Sequence, residues 1–233
     1  MKRLVVSTGA GISAESGMMT YRDAGGLWDK YPVMQVASAE GFAADPALIH
    51  EFYSNMRKKM TATVHPNAAH RGLVELEKYF DVNIITQNVD DLHERAGSSH
   101  VLHLHGELMK MRSMTHPERI YQLPCDQLTD KGLETTVETR DPYGDPVRPH
   151  IVFFGESVPE FENAARLVDQ ADILVVIGTS LVVYPAAGLI QYARRGTPIY
   201  YIDPKPASVP SWVTVIPKKA TEGVAELITL LTK

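Results

Sequence analysis

Cysteine is nearly absent from this chain: Cys125 is the one cysteine in 233 residues. That excludes a disulfide framework, and with it any zinc centre assembled from several thiolates. Long apolar runs are missing as well. The most hydrophobic region, residues 173–189, is broken by Gly178, Thr179, Ser180 and Pro185, whereas a membrane-spanning helix needs about 20 largely unbroken apolar residues. Near the beginning, "MKRLVVSTGAG" offers only a short apolar run before its glycines. It is too short for the apolar region of a signal peptide and reads as a first β-strand. A cytoplasmic protein with no membrane partner is therefore expected. Excess positive charge is lacking too. With 28 acidic and 23 basic side chains the formal net charge is −5, so nucleic acid is not an expected partner. The basic run at 57–59 reads first as a solvated helix face, and no internal repeat or low-complexity tract stands out.

What is present is a globular composition, 44% hydrophobic and 22% charged. It suits a soluble protein with a real core, in one large domain or a domain carrying a sizeable insertion. Four runs, at 4–8, 82–86, 173–178 and 199–203, are rich in Val, Ile or Leu without clean alternation. Parallel strands buried on both faces have that character. Helical patterns at 68–79, 160–170 and 186–195 fall between or after them. The expected fold is therefore α/β, a Rossmann-like doubly wound parallel sheet. Residues 28–65 and the polar stretch 108–149 break the alternation. They are expected to form a smaller inserted module, with 1–27, 66–107 and 150–233 making the nucleotide-binding domain.

The first strand runs into "STGAGISAESG". Gly9-x-Gly11-x-x-Ala14 matches a dinucleotide turn, in which small residues admit a tight bend, close approach to a pyrophosphate and helix–strand packing. A dehydrogenase would then carry an acidic residue at the end of a second strand about 20 residues on. This chain instead continues "GMMTYRDAGGLW", a loop with an arginine and two aromatics.

Later stretches point elsewhere. "TQNVDDLH" at 86–93, "LHGE" at 104–107, "RPHIVFFGE" at 148–156 and "GTSL" at 178–181, together with "GAGIS", resemble the sirtuin family of NAD-dependent protein lysine deacylases. The resemblance runs from residue 3 to about 225 with the motifs in order. "ASAEGFAADP", "EFYSNMRKK" and "QNVDDLHERAG" look most like the branch that includes bacterial deacylases.

The resemblance implies NAD as co-substrate and acylated-lysine proteins as partners. Nicotinamide leaves the ribose, the acyl oxygen attacks the exposed carbon, and a histidine acts as base on a ribose hydroxyl. By match, His105 is that base, and its near-neutral intrinsic pKa suits the task. Asn88, the second catalytic candidate, lines the nicotinamide pocket with Asp90, and Gln87 touches the ribose. Gly9, Ala10 and Gly11 form the turn; Ala10, Thr20, Tyr21 and Arg22 match the family's loop over NAD. Gly178, Thr179 and Ser180 close the adenosine side, Asp203 takes the adenine-side ribose hydroxyls, and Ala220 and Thr221 offer backbone to adenine. Glu15 reads as a first-turn carboxylate. Peptide is expected to add as a strand between Phe154-Gly155-Glu156-Ser157 and Leu181-Val182-Val183.

Two departures from the family matter. Many members hold zinc with two cysteine pairs, yet here "MRSM" stands at 111–114 in the first pair's place. Of the remaining donors, His100, His103, His105, His116 and Cys125, His105 is claimed by catalysis, so no metal is expected. Packing by Tyr121, Leu123, Leu128, Leu133 and Val137 would have to replace it. The second departure is at the acyl pocket. The desuccinylating branch pairs a Tyr with an Arg three residues on, plus a small alanine. Ala24 and Tyr53 match, but Met56 stands where the arginine would, and Arg57 follows. Either Arg57 substitutes after a one-residue shift, or Met56 makes the pocket apolar, or Arg57 is merely solvated. The main alternative to deacylation is an NAD glycohydrolase or ADP-ribosyltransferase on the same scaffold.

Overall fold

The computed structural model describes residues 1–18, 32–128 and 132–233. Its centre is a six-stranded parallel sheet with strand order β3-β2-β1-β7-β8-β9. The strands are β1 (Arg3–Thr8), β2 (Asp81–Thr86), β3 (Val101–His103), β7 (Ile173–Ile177), β8 (Ile199–Ile202) and β9 (Val213–Ile216). From β1 the chain winds outward through β2 and β3, then returns to β7 on the other side of β1. The β1–β7 boundary is thus the topological switch point, where α/β sheets of this kind place their ligands.

Alternation along β1 shows why both faces are covered. Leu4 and Val6 join one apolar cluster, while Val5 faces the other. The first cluster is closed by α5 (Ala68–Leu76) through Ala69, Leu73 and Leu76, and by α8 (Ala220–Leu231) through Val224 and Leu227. The second is closed by α7 (Phe161–Asp169) through Ala164, Ala165 and Val168. The runs at 173–178 and 199–203 lack polar alternation because they are covered on both sides. The pattern at 186–195 forms a 3-10 helix, Ala186–Tyr192, rather than an α-helix.

A smaller module lies beside the sheet. It combines α2 (Val33–Val36), α3 (Ala39–Ala44) and α4 (Pro46–Thr63) with a three-stranded antiparallel sheet, β5-β4-β6. Those strands are β4 (Gly106–Ser113), β5 (Ile120–Gln122) and β6 (Val147–Ile151). Helix α4 starts cleanly because Asp45 accepts from Leu48 N at 3.0 Å and Pro46 occupies its first turn. Its apolar face, with Ile49, Phe52, Tyr53 and Met60, packs on Val89, Leu108, Ile151 and Phe153. That cluster joins the module to the segment leaving β2.

In the stretch "MRSM", Met111 is fully buried with Leu123, Leu128 and Val147, and Tyr121 and Leu133 pack partly against them. Val137 is exposed and adds nothing to this cluster, contrary to expectation. Among the described residues no group of three or more His, Cys, Asp or Glu side chains could hold a metal ion, and the donor set present does not fit a thiolate zinc centre. No helix of the described residues is long and apolar enough to cross a membrane.

Candidate active site

The switch point is built by close packing of two turns. Gly9 N donates to Ile177 O at 3.0 Å and Gly11 N to Gly178 O at 2.8 Å. A Cβ on Gly11 would lie 2.6 Å from the Gly178 Cα. Gly178 itself has φ +63, and a Cβ there would sit 2.4 Å from Ile12 N, so no side chain fits. The amides of Gly9 and Gly11 are therefore engaged within the protein. The first two glycines thus serve turn-on-turn contact, and both still line the cleft in front of it.

In front of this junction opens a cleft of about 750 Å³, within the usual range for small-molecule sites. One end is lined by Gly9, Ala10, Gly11, Gly178, Thr179 and Ser180, with Asp203, Lys205, Lys219 and Ala220 beyond. The other end is apolar: Phe52, Tyr53, Met56, Ile151 and Phe153. Gln87, Asn88 and His105 lie between.

These three are fixed from below. Asn88 Nδ2 donates to Gly9 O at 3.1 Å and to Ser13 Oγ at 3.2 Å. Both amide hydrogens are thus used inside the protein, leaving the side-chain oxygen as the group to offer a ligand. Asn88 N donates to Thr86 Oγ1, which also accepts from Thr8 Oγ1 at 2.9 Å. His105 sits at the turn after β3. Its Nδ1 lies 3.0 Å from Gln87 O; a carbonyl only accepts, so Nδ1 carries the hydrogen and the neutral ring keeps its lone pair on Nε2. Burial holds His105 below the ordinary histidine value, with the Gln87 carbonyl pulling the other way. The following Gly106 has φ +82, and a Cβ there would meet His150 O at 2.0 Å.

Asp90 does not line the cleft. It is buried, accepts from Ser13 Oγ at 3.0 Å and Leu92 N at 3.2 Å, and burial pushes its pKa up to about 6. Among the described residues it is linked to the cleft through Ser13, which accepts from Asn88. Two buried histidines complete this layer. His70 lies 3.5 Å from Ser13 Oγ and His93 3.0 Å from Thr8 Oγ1. Their ring centroids are 5.0 Å apart. Burial lowers His70 to about 4 and holds His93 well below the ordinary histidine value.

The profile described as the Sir2 family matches residues 9–185, three quarters of the chain. The chain belongs to the Sir2 family. A Bacteroides thetaiotaomicron protein named NAD-dependent protein deacylase is 55% identical over 233 residues, covering 99% of this chain and 98% of its own length. A Helicobacter pylori (strain J99) protein of the same name is 48% identical, covering 98% and 94%. Among solved structures, a variant Sir2 homologue with ADP-ribose superposes with TM-score 0.86 at 37% identity, covering 98% of this chain and 91% of its own. A Sir2 homologue with NAD gives TM-score 0.82 at 36% identity, covering 99% and 90%.

In this Sir2 protein several side chains stand apart from their expected places. Arg57 does not reach the cleft. Its guanidinium is wholly buried and donates to Leu133 O, Ser54 Oγ and Thr135 Oγ1, each at 2.9 Å, and Nη1 approaches Met111 Sδ at 3.8 Å. Met56 lines the apolar end instead. Val182 is exposed, and Val183 and Tyr184, rather than Leu181 and Val182, line the cleft. Glu15 caps α8, accepting from Thr221 N at 3.1 Å and Thr221 Oγ1 at 3.0 Å, so Thr221 N is already used. Phe154 N and O pair with Ala37 O and Ala39 N. Glu156 accepts from Arg148 Nη1 at 2.6 Å and Phe153 N at 2.8 Å, which fixes the 153–156 loop. Thr20, Tyr21, Arg22 and Ala24 lie outside the described residues.

Residues the sequence reading missed include Ser13, Thr8, Thr86, His70 and Met56's neighbour Phe52. Ser13 and Thr8 sit within or beside the glycine motif, and polarity at strand ends directly in register (Thr8 opposite Thr86) was the signal available.

Proposed function

We propose that this chain is an NAD-dependent protein lysine deacylase whose acyl end takes neutral, apolar acyl groups. The carrying observation is that Gln87, Asn88 and His105 stand between a glycine-lined sheet end and an apolar end in one cleft. The deacylase names of the relatives support the same reading, as do neighbours solved with NAD, ADP-ribose and an acetylated peptide.

When bound, NAD supplies the electrophilic ribose carbon and the nicotinamide leaving group. The chain's own residues do the rest. Asn88 turns its side-chain oxygen to the carboxamide, its amide hydrogens being held by Gly9 and Ser13. His105, neutral with hydrogen on Nδ1, takes a ribose hydroxyl proton on Nε2. Its lowered pKa keeps it in that form below the ordinary histidine value. Gln87, whose Nε2 lies 3.3 Å from Thr179 Oγ1, borders the ribose from the other side. At the far end Asp203 accepts ribose hydroxyls, beside the Ala220 backbone and near Lys205 and Lys219, which complement phosphate charge. The three residues 178–180 close that end.

With both main-chain groups of Phe154 committed, peptide pairing on this loop falls to Gly155, held in place by Glu156. At the apolar end no described cation lines the wall, because Arg57 turns instead to Leu133 and Thr135 inside the small module. A succinyl carboxylate would be desolvated there without a partner; an acetyl or longer alkyl chain would not.

Nicotinamide release from NAD, measured with and without an acetyl-lysine peptide, tests this function. Peptide-dependent release is expected. Equal release without peptide would leave an NAD glycohydrolase in its place.

A further inference from the structure

Four consecutive carbonyls leaving β2 are all taken by one short stretch of chain. Thr86 O accepts from Leu104 N at 2.9 Å and Val89 O from Leu108 N at 2.7 Å. Between them, Gln87 O accepts from His105 Nδ1 and Asn88 O from His103 Nδ1, both at 3.0 Å. Two side chains thus replace ladder bonds where the strands part. One belongs to the proposed base. The other, His103, has no part in the function argued so far.

His103 has a second partner. Its Nε2 lies 2.8 Å from Glu94 Oε1 of α6 (Leu92–Ala96), and its side chain is 7% exposed. We propose that His103, as an imidazolium clamped by Glu94, is a positioning residue that locks Asn88 to the strand end carrying His105; this rests on the deacylase reading above. The chemistry requires the charge. Asn88 O cannot donate, so Nδ1 carries a hydrogen; the Glu94 carboxylate cannot donate, so Nε2 carries one too. A neutral ring satisfies only one of the two.

The surroundings agree. Burial alone lowers the His103 pKa, but the Glu94 hydrogen bond and charge, with Glu107 behind, raise it above the ordinary value. The same pair holds Glu94 below its ordinary range despite burial. The other titratable groups facing the ring are Asp90, which is stabilised as an anion by His103, and His93, which is kept neutral. Loss of the His103 proton leaves one hydrogen for two acceptors, and wherever Glu94 keeps it the lock on Asn88 O opens. A shift of Asn88 relative to His105 then slows the chemical step without touching the apolar end. This predicts a fall in kcat on the alkaline side, separate from the acid-side limb set by His105.

Three variants separate positioning from bulk. An Asn amide nitrogen overlays imidazole Nδ1, so His103→Asn retains the donor to Asn88 O; a Gln nitrogen overlays Nε2, so His103→Gln retains only the Glu94 partner; His103→Leu retains neither. Expected is kcat within about threefold of the parent for His103→Asn, and a loss of about tenfold to a hundredfold for the other two, with peptide KM unchanged. Equal losses in all three, or full kcat in His103→Leu, would overturn the proposal. An NMR titration of His103 in the NAD-free protein gives a readout independent of turnover. A midpoint above 6.5, falling in Glu94→Gln, is expected; a midpoint below it overturns the imidazolium. If the parent protein deacylates no peptide, the deacylase reading fails, and the titration alone still decides the pair.

Discussion

Arg57 is the residue whose role changes most between sequence and structure, and Arg57→Ala tests that change. The guanidinium donates three hydrogen bonds at 2.9 Å, two of them across to Leu133 O and Thr135 Oγ1 in the small module. Among the described residues it has no carboxylate within ion-pair distance, and burial lowers its pKa to about 10, so it stays charged at neutral pH. Hydrogen bonds from a charged donor contribute about 1.5–3 kcal/mol each. Desolvating an unpaired cation costs several kcal/mol, which offsets much of that gross gain. Truncation removes both, leaves a cavity, and orphans Leu133 O, so a net loss of about 3 kcal/mol is expected. For a chain of this size that lowers Tm by roughly 6–12 °C. The assay pairs thermal unfolding with kcat/KM for acetyl- and succinyl-lysine peptides. A lower Tm with an unchanged acetyl-to-succinyl ratio is the expected result. An unchanged Tm with selective loss of succinyl turnover would refute the reasoning and return Arg57 to the acyl pocket.

Further predictions concern the same elements. Met56→Arg places a cation at the apolar end, so succinyl-peptide turnover should rise relative to acetyl by about tenfold or more, read from kcat/KM; an unchanged ratio would show that residue 56 does not meet the acyl group. Gly106→Ala should cost at least 1–3 kcal/mol, roughly, because φ is +82 and the new Cβ overlaps His150 O; circular dichroism melts and activity should fall together. Acid should destabilise the fold. His50 and His70 are buried and lowered to about 4, so each contributes stability above pH 6.5 that is lost as pH falls toward 4, on the order of 3 kcal/mol each. Asp90, raised to about 6, acts in the opposite sense and cancels about one of them. Urea melts between pH 7 and 4.5 should show the net loss, with a steeper one in Asp90→Asn.

Much of the fold was legible because its physics is local. Strands β1, β2, β7 and β8 are buried on both faces, and their uninterrupted Val, Ile and Leu runs say so. Strands β3 and β9 were not read. Each is short, and β9 is an edge whose Thr214 and Val215 face solvent. The 186–195 region carries helical spacing, yet Pro185 and Gly188 at its start give a tighter 3-10 turn. For the site, the motif residues at 87, 88 and 105 do meet in one cleft. Their support could not be read, since Ser13, Thr86 and His103 act through hydrogen bonds spanning many residues of sequence. Arg57 illustrates the limit: a helix places residues 56 and 57 about 100° apart, and only the packing of α4 decides which one faces the cleft.

The central claim is that the acyl group passes from lysine to ADP-ribose in this cleft. Mass spectrometry of a reaction containing protein, NAD and acetyl-lysine peptide tests it most directly. Equal amounts of nicotinamide, deacetylated peptide and O-acetyl-ADP-ribose, all lost in His105→Ala, are the expected result. Free ADP-ribose with the peptide still acetylated would contradict it.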